Sequence, residues 1–388
     1  FPYTTLFRSK IDIRTIPSVV GGDEKSRHGV VLAKSMPAKK AGIKTGDPIY
    51  QARRKVDKLF VAPMNRKAYE IYSNKFYEIL CKYSPNVERY SIDECFLDMT
   101  GTEKIFGDPV KLAYKIKDEI KNALGFTVNV GIGNNKLCAK MASDFEKPDK
   151  VHTLFNNEIE TKLWPLDVGR LYMCGKKTKE ELNKINIYTI EDLAKAKTSL
   201  LERKFKSQGK YLHEAANGID YSKVEPRISK NSSISITETL PYNYTDEEKL
   251  KEIIFRQTEE VCRELRGKKL YTKTVAIVFK NSNFTSYSAQ VSFDNPNNNT
   301  KEILKRAYEV FDTNYKKDEI RLIGVRLSNL TEHKNKQVNI FDIEDIEEKE
   351  DSIQETIDNI NNKFGKAVVS PASLKVIGSS RSKKNYID

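Results

Sequence analysis

The chain has 388 residues, with 67 Lys and Arg against 54 Asp and Glu, a formal net charge of +13. That length predicts about two to four domains with ample core, and the basic excess favours a polyanionic partner, nucleic acid before membrane. No apolar run approaches the ~20 residues of a membrane span, and no secretory signal opens the chain.

The five cysteines (Cys81, Cys95, Cys138, Cys174 and Cys262) are odd in number and form no Cys-x-x-Cys pair. They fit a reduced, cytoplasmic protein with packed thiols. Only four histidines are present and none clusters with a cysteine, which argues against zinc.

Residues 1–9, Phe1-Pro2-Tyr3-Thr4-Thr5-Leu6-Phe7-Arg8-Ser9, resemble translated sequencing-adapter DNA. They predict a non-native segment ahead of a chain incomplete at its N-terminus; the alternative is an ordinary divergent start. Residues 18–50 read as strand, turn, strand and short helix, with Val19-Val20 and Gly29-Val30-Val31-Leu32-Ala33 as the strand runs. Residues 63–83 predict an amphipathic helix, with Tyr69, Tyr72, Phe76, Ile79 and Leu80 on one face. Asp108-Pro109 opens a helix that Gly125 ends. Phe126, Val128, Val130 and Ile132 then alternate as a strand, and 134–145 is helical. Strands interleaved with helices make residues 10–164 an α+β unit.

Near 165–221 the pattern shortens and becomes more basic. Val168 to Thr178 leads into a helix through Leu182, and Thr189 with Asp192 is placed like a capping box for the next. Residues 222–233 read as a polar, basic linker. Residues 234–336 follow as β-α-β-β-α-β, with Thr245 and Glu248 capping the first helix, strands at 271–280, 287–293 and 320–328, and a helix at 300–315. Residues 343–388 are acidic through Asp351, helical through Phe364, then Ser/Lys-rich, and predict partial disorder.

The chemistry concentrates in Tyr90-Ser91-Ile92-Asp93-Glu94-Cys95-Phe96-Leu97-Asp98. Two adjacent carboxylates sit in an apolar, strand-like run, where acids are costly unless paired or metal-bound. Strand neighbours point to opposite faces, so Asp93 and Glu94 share an ion only at a bend or strand end. Oxygen ligands of this kind suit a hard divalent cation, Mg²⁺ with phosphate as co-ligand. The flanks of this pair resemble the second carboxylate motif of Y-family, UmuC/DinB-like, translesion DNA polymerases.

Several further motifs carry that resemblance. Ala33-Lys34-Ser35-Met36-Pro37-Ala38-Lys39-Lys40-Ala41-Gly42 is similar to the family's finger motif, with Lys39 at the triphosphate position, and Arg27-His28-Gly29 precedes it as in UmuC-like members. Val130-Gly131-Ile132-Gly133-Asn134-Asn135-Lys136-Leu137-Cys138-Ala139-Lys140-Met141-Ala142-Ser143-Asp144, ending in Lys147-Pro148, is the longest match and places Lys147 at the second triphosphate lysine. Met173-Cys174-Gly175-Lys176-Lys177 resembles a helix-hairpin-helix that keeps only the second of two glycines. Gln337-Val338-Asn339-Ile340-Phe341-Asp342 resembles the bacterial sliding-clamp peptide, with Gln337, Ile340 and Phe341 as its contacts.

The resemblance implies a right-hand polymerase: palm and fingers over 10–164, a small helical thumb over 165–221 and a little-finger domain over 234–336. It implies catalysis and metal binding at Asp93 and Glu94, two Mg²⁺ ions, and dNTP contact from Lys39 and Lys147. DNA contact is expected from Gly175, Lys176, Lys177, Lys268, Lys269 and Arg326. The expected partners are primer–template DNA, dNTPs and the sliding clamp, with the protein a monomer and no membrane. The family's third carboxylate, in its first strand, and the paired aromatics after it have no counterpart here; Asp12 is not flanked like that strand. Two other readings stay open. One is a catalytically impaired DNA-binding repair protein. The other, from Gly21-Gly22-Asp23-Glu24, is a palm-type nucleotide cyclase.

Overall fold

The computed structural model describes residues 12–22, 29–226, 232–332, 356–360, 363–364 and 369. The chain divides into two compact units, Phe1–Ile228 and Ser229–Asp388.

The first unit begins with a three-stranded sheet ordered β2-β1-β3, from β1 (Ser18–Gly21), β2 (Val31–Lys34) and β3 (Phe60–Pro63). Strand β1 runs antiparallel to β2 and parallel to β3. Two short helices, α1 (Met36–Lys40) and α2 (Ile49–Lys55), pack on it through Ala38, Ile49 and Ala52. Helix α3 (Arg66–Leu80) starts later than its hydrophobic period suggests, because Pro63 belongs to β3 and the Asn65 side chain accepts from Ala68 N–H as the cap. It meets a third short helix, α4 (Glu103–Phe106), and the long α5 (Pro109–Leu124) around Phe76, Ile79, Leu112, Ile116 and Ile120. Full burial of such side chains contributes roughly 1.5–3 kcal/mol each. Helix α5 starts at the Asp108 cap, whose carboxylate accepts from Lys111 N–H, and stops at Gly125 with φ 75°. That left-handed turn is cheap only for glycine.

Two two-stranded sheets complete this half. Strands β4 (Val87–Arg89) and β5 (Cys95–Leu97) are antiparallel. Strand β6 (Val130–Gly133) runs parallel to β7 (Val151–Leu154), with helix α6 (Lys136–Ser143) between them in sequence. The strand expected from Phe126 is shorter than its alternation: Phe126 and Val128 turn into the core of α3 and α5 before pairing begins at Val130. The thiols of the described cysteines are unbridged; Cys138, Cys174 and Cys262 are buried, and Cys81 is exposed.

Four helices follow: α7 (Lys176–Asn183), α8 (Ile190–Lys195), α9 (Thr198–Phe205) and α10 (Ser207–Ala216). The Thr189–Asp192 capping box is formed at the head of α8. These helices share one core with α6 through Leu137, Met141, Leu182, Leu193 and Leu212.

The second unit is a four-stranded antiparallel sheet ordered β10-β9-β11-β8, built from β8 (Ser233–Tyr244), β9 (Tyr271–Asn281), β10 (Ser286–Asn297) and β11 (Ile320–Thr331). Helices α11 (Glu247–Gly267) and α12 (Thr300–Asn314) bury Leu250, Ile254, Ile303 and Phe311 against Val275, Ile277 and Phe279 on one sheet face. The expected Thr245 cap is corrected by one residue: Asp246 accepts from Glu248 and Lys249 N–H. An ionised carboxylate at the positive end of a 21-residue helix is the stronger acceptor. In the tail, residues 356–360 are helical, and Asp358 accepts from Nε and Nη2 along one guanidinium edge of Arg266 at 2.6 and 3.1 Å.

Candidate active site and nucleic-acid interface

The acidic pair sits where strand alternation requires it. Residues 90–94 form a tight loop between β4 and β5, and the Glu94 carbonyl accepts from both Tyr90 N–H (2.9 Å) and Ser91 N–H (3.1 Å). The bend removes the strand's alternation, so two adjacent carboxylates line one cleft. Ser91 Oγ donates to Asp93 Oδ1 at 2.7 Å. Tyr90 packs edge-on against Phe96 and Tyr172, and its hydroxyl meets that of Tyr172.

That cleft has a volume of about 1640 Å³ and brings together Asp93, Glu94, Lys39 and Lys147. Lys39 is exposed on α1, whose Ser35 cap accepts from Ala38 N–H at 3.2 Å. Lys147 pairs with Asp144 at 2.6 Å. Six further cations line the cleft: Arg14, Lys34, Lys121, Lys136, Lys140 and Lys223. Arg14 is already committed to Asp12 in a two-point contact that holds the Asp12 carboxyl down to about 2. Asp12 is therefore an ion-pair partner and stands apart from Asp93 and Glu94.

Lys140 was not singled out by sequence and is the closest cation to the pair, with Nζ 2.5 Å from Glu94 Oε1. Burial opposes its charged form, but the Glu94 and Asp144 carboxylates outweigh burial and raise its pKa. Its helix lies directly on β6. A Cβ added at Gly131 would fall 1.9 Å from the Ala139 carbonyl oxygen, and one at Gly133 would fall 2.7 Å from Ala139 N. Only glycine permits that contact between strand and helix backbones.

Asp93 and Glu94 are hard oxygen donors lining a cleft that also carries cations, the Ser91 hydroxyl is bonded to Asp93, and among the described residues no group of three metal-ligating His, Cys, Asp or Glu side chains occurs. Mg²⁺ is ordinarily held by one or two carboxylates plus substrate phosphates rather than by a full protein cage. The donor set fits a Mg²⁺ ion that arrives with phosphate.

A separate basic feature heads α7. Gly175 caps it, and Lys176, Lys177 and Lys179 fill its first turn without an acid. Cations there oppose the helix dipole and favour an anion in front of it. Met173 keeps a left-handed φ of 66° without being glycine.

In the second unit, the sheet face away from the helices carries Ser235, Thr237, Ser288, Ser292 and Gln290, with Arg326 opposite Ala276 and Ser235 and with Lys280 opposite Ser286. The Arg326 Nε is buried without a hydrogen-bond partner. Lys268 and Lys269 are not beside it. They lie at the turn from α11 into β9, roughly 17 Å along the strand by rise alone, and Lys268 is paired with Glu264. Gln337, Ile340, Phe341, Arg27, His28, Asp23 and Glu24 lie outside the described residues.

Profiles of two families match the chain: the impB/mucB/samB family over residues 3–144 and the impB/mucB/samB family C-terminal domain over 231–340. The chain is 43% identical over 359 residues to DNA polymerase IV of Clostridium acetobutylicum, covering 92% of this chain and 90% of that protein. It is 34% identical to DNA polymerase IV 2 of Bacillus subtilis, covering 94% and 90%. Among solved structures it resembles a Y-family DNA polymerase chimera, Dbh-Dpo4(243-245)-Dbh, at TM-score 0.72 and 26% identity, covering 82% of this chain and 93% of that one. An insertion ternary complex of Dbh DNA polymerase matches at TM-score 0.59 and 26% identity, with the same coverage of 82% and 93%.

Proposed function

The chain belongs to the impB/mucB/samB family and is a Y-family DNA-directed DNA polymerase of the translesion type, and we propose that Asp93 and Glu94 are the carboxylates on which its nucleotidyl transfer depends. Y-family polymerases are divalent-metal dependent, and here Asp93 and Glu94 hold Mg²⁺, with two ions in the working site. Bound metal supplies charge neutralisation at the primer 3′-oxygen and at the leaving pyrophosphate. Lys39 and Lys147 grip the triphosphate from the other walls of the cleft. The observation that carries this reading is the convergence of the acidic pair and both lysines on one cleft.

The remaining roles are those that the family resemblance implies. Residues 10–164 act as palm and fingers and 165–221 as thumb. Gly175, Lys176 and Lys177 meet a phosphate of the duplex, and Arg326 grips the backbone from the open sheet face, with Lys268 and Lys269 as outlying contacts. Gln337, Ile340 and Phe341 dock on the sliding clamp, and the polymerase itself is a monomer. The Gly21-Gly22 pair lies at the end of β1, and the similarity to polymerases over most of the chain favours the polymerase over the cyclase reading.

Primer extension with Mg²⁺ and dNTPs tests the reading. Asp93→Asn and Glu94→Gln are expected each to lower the rate by about 10²-fold or more, with primer–template affinity retained. Unchanged extension in both variants would overturn the assignment. For the clamp peptide, Phe341→Ala should abolish binding to immobilised clamp; retained binding would remove that role.

A further inference from the structure

A lysine is bonded to one member of the acidic pair. Lys140 Nζ is 2.5 Å from Glu94 Oε1 and 3.2 Å from Asp144 Oδ2, and its side chain is 16% exposed. Its backbone cannot adjust, because α6 is seated on the bare backbone of Gly131 and Gly133. Its four-carbon stem can, and two carboxylates are in reach.

We propose that Lys140 is the resident counter-ion of Glu94, a positioning residue that leaves for Asp144 when a divalent cation takes that carboxylate. This rests on the metal-site reading given above. Two adjacent carboxylates in one loop repel each other, and an ammonium beside one of them keeps the loop in its working shape. A half-buried ammonium with nowhere else to go would resist displacement, since a buried charge stripped of its partner is costly. Asp144 removes that obstacle. It lies at the end of the same helix and already accepts from Lys140, so the ammonium keeps a partner in both positions. Metal affinity is thereby set by competition at Glu94, and Asp144 sets how hard Lys140 competes.

Mn²⁺ binding measured by electron paramagnetic resonance on the full chain, with a dNTP but no DNA and against a protein-free control, tests this. Lys140→Met is expected to tighten Mn²⁺ about fivefold, and Asp144→Asn to weaken it by a similar factor because Lys140 then has only Glu94. The double variant decides between displacement and a mere field effect. If Asp144 acts through Lys140, then Asp144→Asn has no effect in the Lys140→Met background. If it acts through its own charge, the two effects add.

Tightening by Lys140→Met together with a silent Asp144→Asn in that background supports the proposal. Equal or weaker Mn²⁺ binding by Lys140→Met, or additive effects, overturns it and leaves the polymerase reading intact. Absence of Mn²⁺ binding by the unsubstituted chain, or binding indifferent to Glu94→Gln, overturns the metal-site reading and this proposal with it. Lys140→Gln, which keeps a polar side chain of similar reach, carries the same expectation should Lys140→Met fail to fold by circular dichroism.

Discussion

Lys136 Nζ lies 2.7 Å from Glu88 Oε2, and the two side chains are only 13% and 1% exposed. The pair joins α6 to β4, the strand that leads into the acidic loop. The same carboxylate oxygen accepts from Glu225 N–H at 3.1 Å, and Lys136 donates to the Lys223 carbonyl at 3.3 Å. The segment at Lys223 and Glu225 is thus fastened to the sheet whose connecting loop holds Asp93 and Glu94.

Removing that cation leaves a carboxylate in the interior. Lys136→Met is expected to destabilise the first unit by about 3 kcal/mol. The chain has one tryptophan, Trp164, whose indole donates to the Ala216 carbonyl at 3.1 Å within this unit, so its fluorescence during urea unfolding reports the change. A shift under about 1 kcal/mol would show that the pair contributes no more than a surface one.

Met173 keeps a φ of 66° and is 61% exposed, so the strain of a side chain there has no packing in return. Met173→Gly should raise stability by about 1 kcal/mol in the same urea experiment. A loss of stability would mean that the methionine packs in solution.

Asp149 is flanked by Lys117 at 2.8 Å and Lys121 at 2.9 Å, whose hydrogen bonds lower its pKa below 3.8. A depressed carboxylate stabilises the fold above its unfolded value and loses that contribution as pH falls through the folded one. Asp149→Asn should therefore melt below the parent chain at pH 5–7, and the two curves should converge below 3.8 as Asp149 takes up its proton. Parallel curves down to the acid limit would sink this.

Arg326 stands amid hydroxyls on the open sheet face. Arg326→Ala should weaken primer–template binding at all sequences alike and lower the slope of log affinity against log salt by about 1. An unchanged slope in anisotropy titrations would take Arg326 off the phosphate backbone.

The features readable from sequence were those whose cause is local. Asp108 and Gly125 bound α5 because a cap and a left-handed stop need only their own neighbours, and Thr189 with Asp192 is likewise three residues across. Strand alternation allows Asp93 and Glu94 to share an ion only at a bend or a strand end, and residues 90–94 form a bend. Lys140 escaped notice because its partner is 46 positions away, and Lys136 because Glu88 is 48 away. The register of β11 against β8 and β9 put Arg326 on the open face and left Lys268 and Lys269 at a turn, which composition cannot reveal.

The bare backbone of Gly131 has a consequence for how this enzyme can be lost. A methyl group there would meet the Ala139 carbonyl at 1.9 Å, so α6 would have to stand off from β6 and carry the Lys140 ammonium out of reach of Glu94. Changes that displace α6 should accordingly gather at a position that has no side chain of its own. A glycine codon thus guards the ionic distance between Lys140 and Glu94.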